Sequence, residues 1–213
     1  MTRLTSTPVK SETLDKILKA ADLAKQAPSS HNCQPWALHL EPRSDGLDDI
    51  YHAYLAIDPA RRLQGIEALE LEMGLSLGAY LGVFRQALHL AGCVTETTIS
   101  IDQITVKIHS VAPVNVTATT DFAGQVAARR TSRAAFDLRP IQQAQLSDLL
   151  VETWQPLDGV DPADFIISTD GSRQKQLATL VEKFGNLDFS NFSVWSETYS
   201  FIRFSAPKDV SDG

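Results

Sequence analysis

The chain has 213 residues, which fits one large domain or two small ones, and 43% hydrophobic with 21% charged residues is enough to bury a core. That composition excludes disordered, collagen-like and coiled-coil classes. Nineteen Lys and Arg against 26 Asp and Glu give a net charge of −7, so the chain lacks the positive field on which nonspecific nucleic-acid binding depends.

Two cysteines, Cys33 and Cys93, are too few for a disulfide framework, and Met1 to Lys10 has no apolar core of a signal peptide. A reducing cytoplasm is the expected location. The longest apolar stretch, Ile66 to Leu90, carries Glu67, Glu70, Glu72 and Arg85, which argues against a membrane span.

The first periodic segment, Ser11 to Ala27, places Leu14, Ile17, Leu18, Ala21 and Ala24 on one face, with Ser11 as cap and Glu12 in the first turn; it predicts an amphipathic helix stopped by Pro28. A polar loop, Pro28 to Pro35, leads into a strand at Trp36 to Leu40, and a second strand is predicted at Tyr51 to Ile57. Ile66 to Ala91 reads as a long buried helix through Leu69, Met73, Leu77, Tyr80, Leu81, Phe84 and Leu88. Gly74, Gly78 and Gly82 recur every fourth residue of it, and since glycine costs a helix up to about 1 kcal/mol per site, the stripe is expected to pack against another helix or a symmetry mate.

Thr98 to Ile101 and Ile104 to His109 predict a hairpin. Val114 to Gly124 reads as a linker of small residues and as the boundary between two halves. After it come Gln125 to Arg139, a helix near Gln143 to Trp154, a short strand at Asp164 to Ser168, and helices at Ser172 to Phe184 and Asn191 to Phe204.

Two segments carry chemistry. The Pro28 to Trp36 loop has amides and hydroxyls that suit a polar ring system, or that simply satisfy local backbone groups at a helix end. Arg129-Arg130-Thr131-Ser132-Arg133 suits a phosphate, because guanidinium forks pair with phosphate oxygens; a solvated turn with surface ion pairs is the alternative. Nucleic acid is a weaker third reading, since the cluster is short and has no aromatic platform beside it. His31 and Cys33 do not read as a dyad or metal pair, because no third ligand such as a second Cys or a nearby His completes a set.

Ala27-Pro28-Ser29-Ser30-His31-Asn32-Cys33-Gln34-Pro35-Trp36 resembles the flavin-contacting A-P-S-x-x-N-x-Q-P-W segment of the nitroreductase family, and Arg129-Arg130-Thr131-Ser132-Arg133-x-x-Phe136 resembles its FMN-phosphate segment R-R-S-x-R-x-F. Ordinary members carry these segments in the opposite order. The reversal resembles the Acg-like branch, in which two nitroreductase-like halves are fused in one chain around one flavin.

The resemblance implies an α+β fold, a mixed or antiparallel sheet flanked by helices, in two pseudo-repeated halves at residues 1–118 and 119–213, the second incomplete. It implies FMN as cofactor, NAD(P)H as electron donor and a nitroaromatic or quinone-type acceptor. Ser29, Ser30, Asn32 and Gln34 would meet ring edges and ribityl hydroxyls on a loop shaped by Pro28, and Arg129, Arg130, Ser132 and Arg133 would meet phosphate and ribityl. No side-chain nucleophile and no metal are called for. The alternative is a non-catalytic flavin-binding or sequestering protein, or a flavin-free remnant. A shortened second half is expected to leave apolar surface uncovered around Phe84 and Trp195, which would invite self-association or pairing with a separate segment resembling the missing C-terminal part.

Overall fold

The computed structural model describes residues 11–44, 49–65, 67–100, 103–110, 121–132, 142, 144–146, 170–185 and 191–201. The chain forms two compact units, Met1–Arg129 with Ser193–Gly213, and Arg130–Phe192.

In the first unit, helix α1 spans Glu12–Ala24, with the Ser11 hydroxyl accepting the Leu14 amide at 3.1 Å and Glu12 and Asp15 in the first turn, where the helix dipole favours acid. Its buried face is Leu14, Ile17, Ala20, Ala21 and Ala24; Leu18, expected inside, is 41% exposed. Strands β1 (Trp36–Ser44), β2 (Asp49–Ile57), β3 (Cys93–Ile99) and β4 (Ile104–Ser110) make an antiparallel sheet in the order β1-β2-β4-β3. The architecture is α+β, with every pairing in this sheet antiparallel.

Helix α2 (Leu69–Leu90) packs with α1 against the sheet face that carries Leu40, Ala53, Leu55, Val106 and Ile108, and those side chains form one continuous core with Leu77, Tyr80, Phe84 and Leu88. The opposite face is polar, and the register sets Glu41 opposite His52, His52 opposite Lys107 and Lys107 opposite Glu96. Alternation along each strand produces both faces. Helix α2 ends where Gly92, at φ 79°, turns the chain into β3.

Several elements extend beyond their predicted ends. β1 continues past Leu40 through Pro42, which an edge strand tolerates because its outward side needs no ladder donor. β3 begins at Cys93, five residues before the predicted arm. Phe122–Ala128 form helix α3, capped by the Asp121 carboxylate on the Gly124 amide at 2.9 Å, so residues 122–124 are helix and not linker.

The glycine stripe packs on no other helix of this chain among the described residues. A Cβ built at Gly74, Gly78 or Gly82 meets nothing within 4 Å among the described residues, and all three are exposed. Phe84, expected near uncovered surface, is buried. Gly78→Ala is therefore expected to raise stability by about 0.5–1 kcal/mol through the restricted unfolded chain and better helix propensity. Urea denaturation checks it; a loss of stability would mean that another surface closes on this stripe.

Among the described residues of the second unit, helix α4 spans Gly171–Phe184, capped by Asp170 on the Ser172 amide at 2.9 Å, one residue from its predicted start. Residues 144–146 are helical, whereas the rest of the predicted 143–154 helix, beyond Gln145 and Leu146, and the predicted strand at 164–168 lie outside the described residues. Helix α5 spans Phe192–Ser200, and from Ser193 onward belongs to the first unit. Among the described residues no helix is long and apolar enough to cross a membrane.

Candidate functional site

Between α1 and β1 the chain makes a single 3-10 turn at Ser30–Asn32 whose backbone is unusual: His31, Asn32 and Gln34 have φ of 48°, 55° and 50°. Left-handed non-glycine residues cost energy, and three within four positions persist only where the surroundings over-determine them. The surroundings are visible. The Ser29 hydroxyl accepts the Gln34 amide at 3.0 Å, the Asn32 amide donates to the Ser29 carbonyl at 3.1 Å, and the Cys33 amide donates to the Ser30 carbonyl at 2.9 Å.

The loop is also tied to α2. The Ser30 amide donates to the Ser76 hydroxyl at 3.1 Å, Ser76 donates to the Glu72 carbonyl at 2.7 Å, and the Ser30 hydroxyl donates to the Glu72 carboxylate. These residues border an open surface recess of about 280 Å³ lined by Pro28, Ser29, Ser30, Glu72, Leu75, Ser76 and Ala79. Pro28, Leu75 and Ala79 give it apolar walls, and Ser29, Ser30, Ser76 and Glu72 give it a polar edge. With an acid and no cation in its lining, it suits a neutral ring and repels a phosphate.

Of the residues anticipated from sequence, Pro28, Ser29 and Ser30 therefore line one cavity. Asn32 and Gln34 belong to the same loop but are not among the lining residues. Arg129 ends α3 as its C-cap and its guanidinium donates to the Gln26 carbonyl at 3.4 Å, two residues before Pro28. Arg130 and Ser132 open the second compact unit and are exposed; Arg133 lies outside the described residues. Glu72 and Ser76 were not anticipated. Their signal is a polar i,i+4 pair on the largely apolar first half of α2.

His31 is exposed and Cys33 fully buried, and it is the 3-10 turn with its left-handed residues, not an extended loop, that separates the two side chains. Cys33 sits with Leu63, Leu69 and Met73, and burial pushes its thiol up to about 11 from an ordinary 9.0. It stays protonated at neutral pH and is no nucleophile there. Tyr80, which donates to the Ala21 carbonyl at 3.3 Å, is raised by burial too. Above pH 9 the unfolded chain releases a thiol proton that the folded one keeps, so stability falls as pH rises from about 9 towards 11. Thermal melts at pH 8, 9 and 10 check this, with Cys33→Ala expected to flatten the decline.

An α+β scaffold with a serine-rich loop over a mixed cavity accompanies a likeness to the NAD(P)H nitroreductases, although no protein-family model matches the chain. One relative is the probable NAD(P)H nitroreductase PigM of Serratia sp. (strain ATCC 39006), 26% identical over 211 residues. The match takes in 95% of this chain and 56% of PigM, so the chain spans little more than half of that relative's length.

Proposed function

We propose that this chain is a nitroreductase-like oxidoreductase that holds FMN and passes electrons from NAD(P)H to a nitroaromatic or quinone-type acceptor. The observation that carries the proposal is the open recess lined by Pro28, Ser29 and Ser30, in a chain similar along 95% of its length to a probable NAD(P)H nitroreductase. When bound, FMN supplies the hydride and electron chemistry, and the protein supplies position, electrostatics and exclusion of water.

The residues present fit the ring part of such a group. Pro28, Leu75 and Ala79 offer apolar faces, Ser29 has a hydroxyl proton to donate while accepting the Gln34 amide, and Glu72 holds the Ser30 hydroxyl in one orientation. Asn32 and Gln34 are assigned to ribityl and ring edges, and Arg129, Arg130, Ser132 and Arg133 to phosphate, where fixed positive charge offsets that of an acidic chain. The same proposal takes the chain as two fused Acg-like halves, residues 1–118 and 119–213, working in the cytoplasm.

The test is the spectrum of the purified chain reconstituted with FMN, followed by NAD(P)H oxidation with a nitro or quinone acceptor. Bound-flavin absorbance with acceptor-dependent oxidation is the expected result. Bound flavin without turnover would identify a flavin-sequestering protein, and no flavin at micromolar concentration would overturn the proposal.

A further inference from the structure

Helix α5 carries Val194, Glu197 and, one residue past its end, Phe201 at spacings of three and four, which places them along one face. Each meets the structure around the Pro28 to Pro35 loop. The Glu197 carboxylate accepts two successive amides, Gln64 at 2.7 Å and Gly65 at 2.9 Å. Val194 is buried against Gly65, where an added Cβ would come within 2.9 Å of its Cγ2 and 3.1 Å of its Cα; this close approach is what requires glycine. Phe201 packs on the cluster of Cys33, Leu63, Leu69 and Met73.

The segment that Glu197 grips is itself bound to the loop. Arg61 donates to the Cys33 carbonyl at 3.3 Å, the Asp58 amide donates to the Pro35 carbonyl at 2.7 Å, and Leu63 shares the cluster with Cys33. Cys33 lies between Asn32 and Gln34, two of the residues held at positive φ. Local hydrogen bonds alone do not favour three left-handed residues, so the contacts from 58–65 and from Phe201 supply the over-determination such a backbone needs.

We propose that α5 is a clasp, and that Glu197 is a positioning residue: by holding 64–65 it fixes the Pro28 to Pro35 loop in the form that contacts a flavin ring. This rests on the reading of that loop as flavin-contacting. Glu197 is not among the residues lining the recess; it holds the 58–65 segment through its two hydrogen bonds, and its charge also lies close enough to Cys33 to raise that thiol, an effect that Gly65→Val leaves in place. Two charge-assisted bonds to adjacent amides make the grip directional, so removing the carboxylate opens the loop without dismantling the sheet.

The two cysteines allow a direct test on the full chain, because Cys33 lies under Phe201 while Cys93 lies in the main core. Wild type, Glu197→Ala, Glu197→Gln and Gly65→Val are pulsed with iodoacetamide at about pH 8, and alkylation of each cysteine is read by peptide mass, alongside FMN and riboflavin titrations. Glu197→Ala is expected to speed Cys33 alkylation by roughly tenfold with Cys93 still protected, and to weaken both flavins by a similar factor. Glu197→Gln, keeping one acceptor oxygen, should fall between it and wild type, and Gly65→Val, which separates the helix by bulk, should reproduce the alanine variant. Unchanged Cys33, or both cysteines opening together, overturns the clasp. Opened Cys33 with wild-type flavin affinity overturns the positioning role and leaves the flavin reading intact; a wild type that binds no flavin removes that reading and the role with it, while the thiol result still decides the clasp.

Discussion

Replacing Arg129 and Arg133 together by alanine is expected to weaken FMN binding by about a hundredfold or more while changing riboflavin binding little. The phosphate is close to dianionic at neutral pH and the chain carries a net charge of −7, so only local cations can hold it. Charge-assisted hydrogen bonds contribute about 1.5–3 kcal/mol each, and two of them account for that factor. The cavity cannot substitute for them, since Glu72 is the charged group in its lining. Arg129 is fixed at the end of α3 near Gln26, at the entry to the Pro28 loop. Ser30→Ala provides the control: it removes a hydroxyl from the cavity edge and should weaken FMN and riboflavin alike. Fluorescence-quenching titrations with both ligands decide the matter, and a wild type that holds FMN no better than riboflavin would end the phosphate assignment.

What the sequence makes legible here follows the range of the interactions involved. The start of α1 depends on Ser11 and the amide three residues on, and β2 and β4 depend on two-residue alternation; both are local patterns that read correctly. Helix α2 reads correctly on its inner face, where the predicted Leu69, Met73, Leu77, Tyr80, Leu81, Phe84 and Leu88 are all buried, but its apolar residues nearly encircle it, with Leu71 70% and Leu75 65% exposed, so composition does not say what lies on the outer side. Gly74, Gly78 and Gly82 each follow a buried residue, Met73, Leu77 and Leu81, by one position, or about 100° around the helix, and so turn away from the core.

The site divides in the same way. The Pro28 to Ser30 segment was visible because its residue types are concentrated in one loop. Its partners Glu72 and Ser76 lie more than forty positions away on a helix otherwise read as core, and Glu197 lies 133 positions from Gln64. Pairings at that range leave no local signature in a single chain. Among the left-handed residues, Asn32 and His31 are of types enriched in αL, whereas nothing in Gln34 announces it; tertiary contacts impose that backbone.

Phe84→Ala is expected to cost about 3–5 kcal/mol, the usual range for deleting a buried ring and leaving a cavity. Phe84 is 1% exposed, sits between α2 and the sheet, and lies 6.1 Å from the ring of Tyr80, which in turn lies 5.1 Å from Trp36. Those neighbours belong to different elements and cannot all collapse into the space. Against the roughly 5–15 kcal/mol that holds a typical domain folded, the loss is large enough to lower the urea midpoint severely. Leu71→Ala, on the exposed side of the same helix, should stay within about 0.5 kcal/mol of wild type. Phe84 is twelve residues, about 18 Å of helix, from Glu72, so the fraction that remains folded should keep its affinity for whatever occupies the cavity. Equal effects at Phe84 and Leu71 would contradict the inward face assigned to α2, and with it the placement of Glu72 and Ser76 beneath the Pro28 loop.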